Sequence, residues 1–422
     1  MSAQAAPLEA ASAPSGRALA FFALFATALV TLRPFENLSA ADYDDLGQGR
    51  DVPTYLAFAL LAAFMTSLIW RSEAPALRAL ALKPYFALLG VIGLAALHAP
   101  DPATAIKRAV LVALVAFCAA GASLLPAGRR ELAGWLAVAA ALVIALSYFG
   151  VLFLPELSIH QGADTVEAEL AGDWRGVYAH KNIASPVFGM LAFIGIFVAR
   201  AGKRIEGAAI ASAALVFLAF TGGKTSSALW VPAMGLSLLP YSRLWALAAA
   251  MPFLAINGFG ALAQAAPALA KFAKSLPFDS TFTGRTDIWA LAVQKIAEHP
   301  LTGWGFQSFW ANSDLRYNSE NGWVGDAANA HNGYVDALLS MGVVGLVLTL
   351  WCFGVQPLRD LAAATRRGAD PALTALFTQI WIYGLWVSCL ESFLFNRADP
   401  VFFLFLFAVF GLRFLACFRT LP

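Results

Sequence analysis

The stretch AHNGYVDALLSMGVVG, residues Ala330 to Gly345, sets a histidine and an asparagine directly before an apolar run that continues to about residue 356. An uninterrupted apolar segment of more than about 18 residues reads as a helix crossing a bilayer. His331 and Asn332 then stand at a membrane face, and every similar run in the chain must be read in the same way. The chain's composition agrees. Its 422 residues are 60% hydrophobic and 13% charged, whereas soluble domains carry roughly 25% charged residues. The net charge of +2 and the lack of a Lys/Arg-rich run exclude a nucleic-acid surface.

Further apolar runs fall near 17–33, 53–70, 84–99, 105–126, 131–154, 182–200, 206–222, 226–241, 243–258, 373–395 and 398–418. Together they predict an all-α polytopic membrane protein with about twelve transmembrane helices. A tail over residues 1–16, rich in Ala, Ser and Pro, reads as disordered and cytoplasmic. Residues 17–258 would carry nine helices, including an outer loop at 155–181, and 333–422 the last three. Between predicted helices nine and ten lies a long loop, 259–332, with a helical stretch near 287–298. A connection of that length is unusual unless it has a function. Basic residues of the short loops, among them Arg71, Arg78, Arg129, Arg130, Lys203, Arg366 and Arg367, fall on one side of this topology. By the positive-inside rule both termini are cytoplasmic, and the loops at 155–181 and 259–332 face the opposite side.

The outer loops are acidic on balance, so their cations call for a ligand or a partner. Arg175 and Lys181 lie in DWRGVYAHKN, Lys224 in TGGKTSS and Arg285 in FTGRTDIW, each beside a predicted span end. Such a set suits an anionic ligand, and arginine suits bidentate phosphate contact. The alternative is local pairing, Asp173 with Arg175 and Asp287 with Arg285. Lys224 has almost no loop around it, and an ionisable group at membrane depth is by default a functional candidate. Near neutral pH His331 can take a proton from a hydroxyl, and a helix N-terminus disfavours its charged form. Asn332 could orient it or hold a sugar hydroxyl. Gly342 and Gly345, three apart on one helical face, read as small residues that admit a neighbouring helix. The aromatics of HPLTGWGFQSFW, His299 to Trp310, suit an interfacial belt better than a sugar-stacking surface. Glu391 is placed to balance a cation. Cys118, Cys352, Cys389 and Cys417 lie in apolar segments without C-x-x-C spacing and read as core residues. The five histidines are scattered, so no metal site is expected.

His331-Asn332, nine residues and then Gly342-Val343-Val344-Gly345 form an H-N-x9-G-x-x-G pattern. It is preceded in order by RGVYAHKN, the Lys224 motif, FTGRTDIW and GWGFQSFW. The ordered set resembles the O-antigen ligase and Wzy-type polymerase superfamily, and within it looks most like the ExoQ-like exopolysaccharide polymerases. The resemblance implies a GT-C-like, inverting, metal-independent glycosyltransferase without a cofactor, in the bacterial inner membrane with a periplasmic active site. It implies an undecaprenyl-diphosphate-linked glycan as donor, a lipid-linked glycan or lipid A-core as acceptor, contact with membrane lipids, and polysaccharide-assembly partners. Carried over by motif, His331 becomes the base with Asn332 beside it, Arg285 a diphosphate ligand and Arg175 a second one. Many ligases have Ser-Arg where this chain has Gly223-Lys224. Polymerisation of repeat units is the first reading and ligation to another acceptor the rival. A transporter of lipid-linked glycans would instead distribute charge through the span centres.

Overall fold

The computed structural model describes residues 14–36, 52–70, 73–162, 168–265, 280–312, 315 and 327–418. Its helices are α1 (Pro14–Leu29), α2 (Val52–Ile69), α3 (Ala74–Leu80), α4 (Lys83–Leu97), α5 (Pro102–Ala122), α6 (Arg129–Phe153), α7 (Lys181–Arg200) and α8 (Arg204–Phe220). They continue with α9 (Lys224–Ser237), α10 (Arg243–Ala265), α11 (Ser280–Glu298), α12 (Gly333–Leu350), α13 (Gln356–Arg367), α14 (Pro371–Val387) and α15 (Pro400–Cys417). A one-turn helix, Pro155–Ser158, opens the loop before α7. Among the described residues the only β pairing is an isolated bridge between Ile159 and Trp174. The fold is that of a polytopic helical membrane protein.

Each apolar run of the sequence coincides with a helix, but their lengths differ. Among the described residues, seven helices are long and apolar enough to cross a bilayer, or up to eight if α3 and α4, bent by 68°, form one broken span. α1 and α14 are apolar but shorter. The expected tail at 1–16 falls mostly outside the described residues, and α1 already begins at Pro14. In the long loop, α10 runs on to Ala265 and α11 begins at Ser280, seven residues before the helical stretch read from sequence.

α7 and α15 form the centre, with 78% and 83% of their apolar windows buried, whereas α10 is only 11% buried and lies at the rim. α15 is mostly Phe, Leu and Val, and its Phe403 and Phe407 rings stand edge-on to Phe25 of α1 at 5.2 and 5.5 Å. A helix apolar all round belongs inside the bundle. Small-residue packing occurs between α7 and α8. A Cβ on Gly195 would press on the Gly207 carbonyl and the Ala211 amide, and one on Gly207 would meet the Gly195 carbonyl. Two helices without a hydrophobic drive to associate gain dispersion by such close approach.

α12 is not a continuous helix. Gly342 adopts φ +63° and ψ −168°, which divides it into two halves. The break frees backbone groups that must find partners at this depth. The segment after α11 supplies them: Val343 N–H donates to Pro300 C=O at 2.9 Å, and Trp304 N–H donates to Leu339 C=O at 2.7 Å. A Cβ on Gly342 would collide with the Leu301 carbonyl, and one on Gly303 would crowd the backbone of Leu339 to Met341. This corrects the sequence reading of the G-x-x-G glycines. Gly342 admits a loop rather than a helix, and Gly345 lies over the Met341 side chain of its own helix. It also corrects the aromatic belt. Phe306 and Phe309 are buried in the core, while Trp304 and Trp310 are half-buried and spend their indole N–H groups on Lys295 C=O and Asp336.

Candidate active site at the mouth of α12

Residues 330–335 are held at every backbone amide. Ala330 N–H donates to Asp336 Oδ1 at 3.1 Å, His331 N–H to Asn329 Oδ1 at 2.9 Å and Asn332 N–H to Ser392 Oγ at 2.9 Å. Gly333 N–H donates to Ser388 C=O at 2.8 Å, and Tyr334 and Val335 N–H both donate to Asn332 Oδ1, at 3.0 and 3.2 Å. On the other side, Trp289 Nε1–H donates to Ala330 C=O at 2.8 Å. Within this frame His331 sits at φ +48°. A non-glycine residue in the left-handed region costs of order 1–3 kcal/mol and persists only where its surroundings over-determine it. The imidazole keeps 32% of its surface accessible. The frame therefore presents a fixed, reachable ring.

The Asn332 side chain is already engaged by protein. It is 1% exposed and caps α12, and its Nδ2 donates to Asn257 Oδ1 of α10 at 2.9 Å. Both ends of the amide are committed to protein, and it acts by positioning its neighbour.

Arg285 and Trp289 lie four apart on α11 and so share a face. Trp289 is tied to Ala330, and Arg285 reaches Glu391 in the loop after α14, Nη2 to Oε1 at 3.0 Å. The other carboxylate oxygen of Glu391 stands 3.6 Å from His331 Nδ1. Glu391 is thus the hub between the histidine and the arginine. Burial pushes its carboxyl upward, but Arg285, His331 and His180 together outweigh that and hold it below the usual 4.5. The local alternative, Arg285 with Asp287, is not the contact formed; the balancing role read for Glu391 is.

Of the other sequence candidates, Lys181 Nζ pairs with Asp173 Oδ2 at 2.5 Å. Asp173 in turn lies against Gly222, where a Cβ would strike its carboxylate. Two residues on, Lys224 is exposed as the first residue of α9, at the helix surface rather than buried at membrane depth. Lys181 and the Lys224 turn therefore meet around one carboxylate. Next to Lys181, His180 accepts from Asn182 N–H at 3.0 Å, and its ring stands 4.9 Å from that of His160. His180 also helps, through space, to hold the Glu391 carboxylate ionised. Arg175 does not join the His331 cluster. It is 1% exposed and donates to Glu36 and Ala179 carbonyls at 2.9 and 3.0 Å, so its guanidinium fastens the loop. Both bonds leave from Nη1, and it is the burial of the side chain that separates Arg175 from a reachable phosphate ligand in this structure.

Sequence reasoning passed over Asp336, Ser392, Trp289, Asn257 and His180. Two had a legible signal. Asp336 falls four residues after Asn332, on the face of its helix that bears the cap, and Trp289 falls four after Arg285. Ser392 and Asn257 come from distant segments and carry no such periodicity.

The arrangement defines a multi-pass membrane protein with a reachable histidine, a carboxylate and cations gathered at one end of the bundle. Comparison with known proteins places it more narrowly. Residues 182–350 match the Wzy_C family, described as O-Antigen ligase. A segment of 103 residues is 29% identical to the exopolysaccharide production protein ExoQ of Rhizobium meliloti (strain 1021), covering 24% of each chain. The likeness to the Wzy-type and ExoQ-like superfamily thus stands on these matches as well as on the motifs. The chain matches about a quarter of that relative's length.

Proposed function

We propose that the protein is an inverting, GT-C-like glycosyltransferase that polymerises undecaprenyl-diphosphate-linked glycan repeat units at the periplasmic face of the bacterial inner membrane. His331 is the base that takes the proton of the acceptor hydroxyl as this oxygen attacks the anomeric carbon. Arg285, with Lys181 and Lys224 at the rim, neutralises the diphosphate that leaves. A leaving diphosphate whose charge is held needs neither a metal nor a proton at the moment of departure. The observation that carries this reading is the pairing of a reachable imidazole with a guanidinium through one carboxylate, at the end of a membrane bundle. Ligation to lipid A-core or another acceptor is the second reading, favoured by the description of the matching family.

Purified protein in liposomes, given the lipid-linked oligosaccharide alone, tests both. A ladder of longer lipid-linked glycans is expected. With His331→Ala the rate falls by about 10²- to 10⁴-fold, the usual worth of a general base, while the unfolding midpoint holds. Equal ladders from both proteins would remove His331 from the chemistry. Product only after a second acceptor is added would make the protein a ligase.

A further inference from the structure

We infer that Glu391 couples occupation of the donor site to the basicity of His331, by exchanging Arg285 for the imidazole as its principal partner. The inference rests on the proposed function, since it takes Arg285 as the donor's anion ligand.

The geometry is asymmetric. Arg285 Nη2 is in full contact with Glu391 Oε1 at 3.0 Å, whereas His331 Nδ1 stands at 3.6 Å from Oε2. The first distance is a charge-assisted hydrogen bond; the second lies beyond hydrogen-bond range by a few tenths of an ångström. The carboxylate is 12% exposed and the guanidinium 13%, so water screens neither strongly and each answers to its nearest charge. A diphosphate brings two or more negative charges and a geometry that matches the guanidinium fork better than a single carboxylate does. As Arg285 turns toward it, Glu391 keeps its charge and loses its main neutralising partner. The nearest remaining donor is His331 Nδ1–H. Closing that gap fixes the tautomer with Nε2 bare toward the acceptor, and stabilises the imidazolium once the proton has arrived.

The other groups facing this pair do not compete for the role. Asp336 acts on His331 through space, but Oδ1 is engaged by Trp310 and the Ala330 amide. His180 acts on Glu391 through space, with Nδ1 committed to capping α7. Glu391 is therefore a positioning residue that touches no reacting atom. Without donor, Glu391 is held by Arg285; with donor, it is released to the imidazole.

The coupling can be read without turnover. NMR of histidine-labelled full-length protein in nanodiscs, with the His331 signals assigned from His331→Ala, gives its titration midpoint. In Arg285→Met, Glu391 is released and the midpoint should rise by about one pH unit. In Arg285→Met/Glu391→Gln the rise should vanish, and Glu391→Gln alone should lower the midpoint. A rise that survives in the double variant would mean that Arg285 acts on His331 directly, which overturns the proposal. Inorganic diphosphate added to the unaltered protein is the second arm, and guards against a variant that does not fold. It should reproduce the upward shift, and Glu391→Gln should suppress it. Saturable binding without a shift overturns the coupling. Failure of diphosphate to bind, with the variant shifts intact, leaves the Arg285–Glu391–His331 linkage standing and overturns the donor-site reading on which its purpose depends.

Discussion

At the scale of single residues, the candidate site sorts by what each side chain already holds. His331 retains surface and a free ring edge, whereas Asn332 and Arg175 are spent on protein partners. Asn332→Ala removes a helix cap and strands Asn257 Oδ1, so it should destabilise the protein by about 1–3 kcal/mol. Asn332→Asp keeps both capping bonds but sets a carboxylate oxygen against Asn257 Oδ1, so it should recover only part of the loss. Thermal unfolding of the three proteins in one detergent checks the order. Glu391 carries a pH dependence whose sign follows from its lowered pKa. The folded state prefers the carboxylate, so the contribution is complete above the usual value of 4.5 and is lost as pH falls below it, through the lowered value. The gap in unfolding midpoint between the unaltered protein and Glu391→Gln should accordingly narrow between pH 7 and pH 3. A gap that widens on acidification would contradict the assigned direction. The cations, His331 and the carboxylate were each visible as residue types in sequence; which cation met which carboxylate was not. Nearest-neighbour pairing suggested Asp287 for Arg285, but the helical turn from 285 to 287 separates the two, and a residue more than a hundred positions away takes the contact.

Among the elements, α12 decides most. Sequence marked its start correctly, because a polar His-Asn pair before an apolar run admits one interpretation. It gave no sign of the break, since glycine within a helix and glycine at φ +63° are written with the same letter. The companion loop at 299–305 was legible only as a tight aromatic turn, since its role exists only in contact with α12. Gly342→Ala forces a Cβ into the Leu301 carbonyl at a left-handed backbone position. Strain and overpacking together should cost roughly 2–5 kcal/mol. A Cβ on Gly345 would strike the Met341 Cβ, which its own backbone fixes, but at a position without left-handed strain, so Gly345→Ala should cost the overpacking alone, about 1–3 kcal/mol. Their unfolding midpoints, measured side by side, test whether Gly342 serves a loop or a helix interface. Equal losses would favour the interface.

For the molecule as a whole, the apolar pattern was the most readable property: every run became a helix. The span count was less so, because several helices are shorter than the bilayer is thick and hydropathy alone cannot separate a short span from a buried or broken one. The proposed topology sets Lys224 on the periplasmic side and the exposed Thr365 of α13 on the cytoplasmic side. In a background where Cys417 is replaced by Ser, Lys224→Cys should react with a membrane-impermeant maleimide in intact cells. Thr365→Cys should react only after permeabilisation. The reverse pattern would invert the protein and remove the periplasmic site.

The break in α12 has one more consequence, and it concerns spacing. The half-helix Gly333–Met341 is clamped at one end by its cap and at the other by the loop wedged at Gly342. It is a strut of fixed length, about 13 Å at 1.5 Å per residue, between the imidazole and a landmark sunk in the bundle. One inserted residue would move His331 outward by about 1.5 Å and swing it by about 100°, away from Glu391, with every motif letter still present. The nine positions between Asn332 and Gly342 are therefore a ruler, and their number matters as much as the side chains they carry.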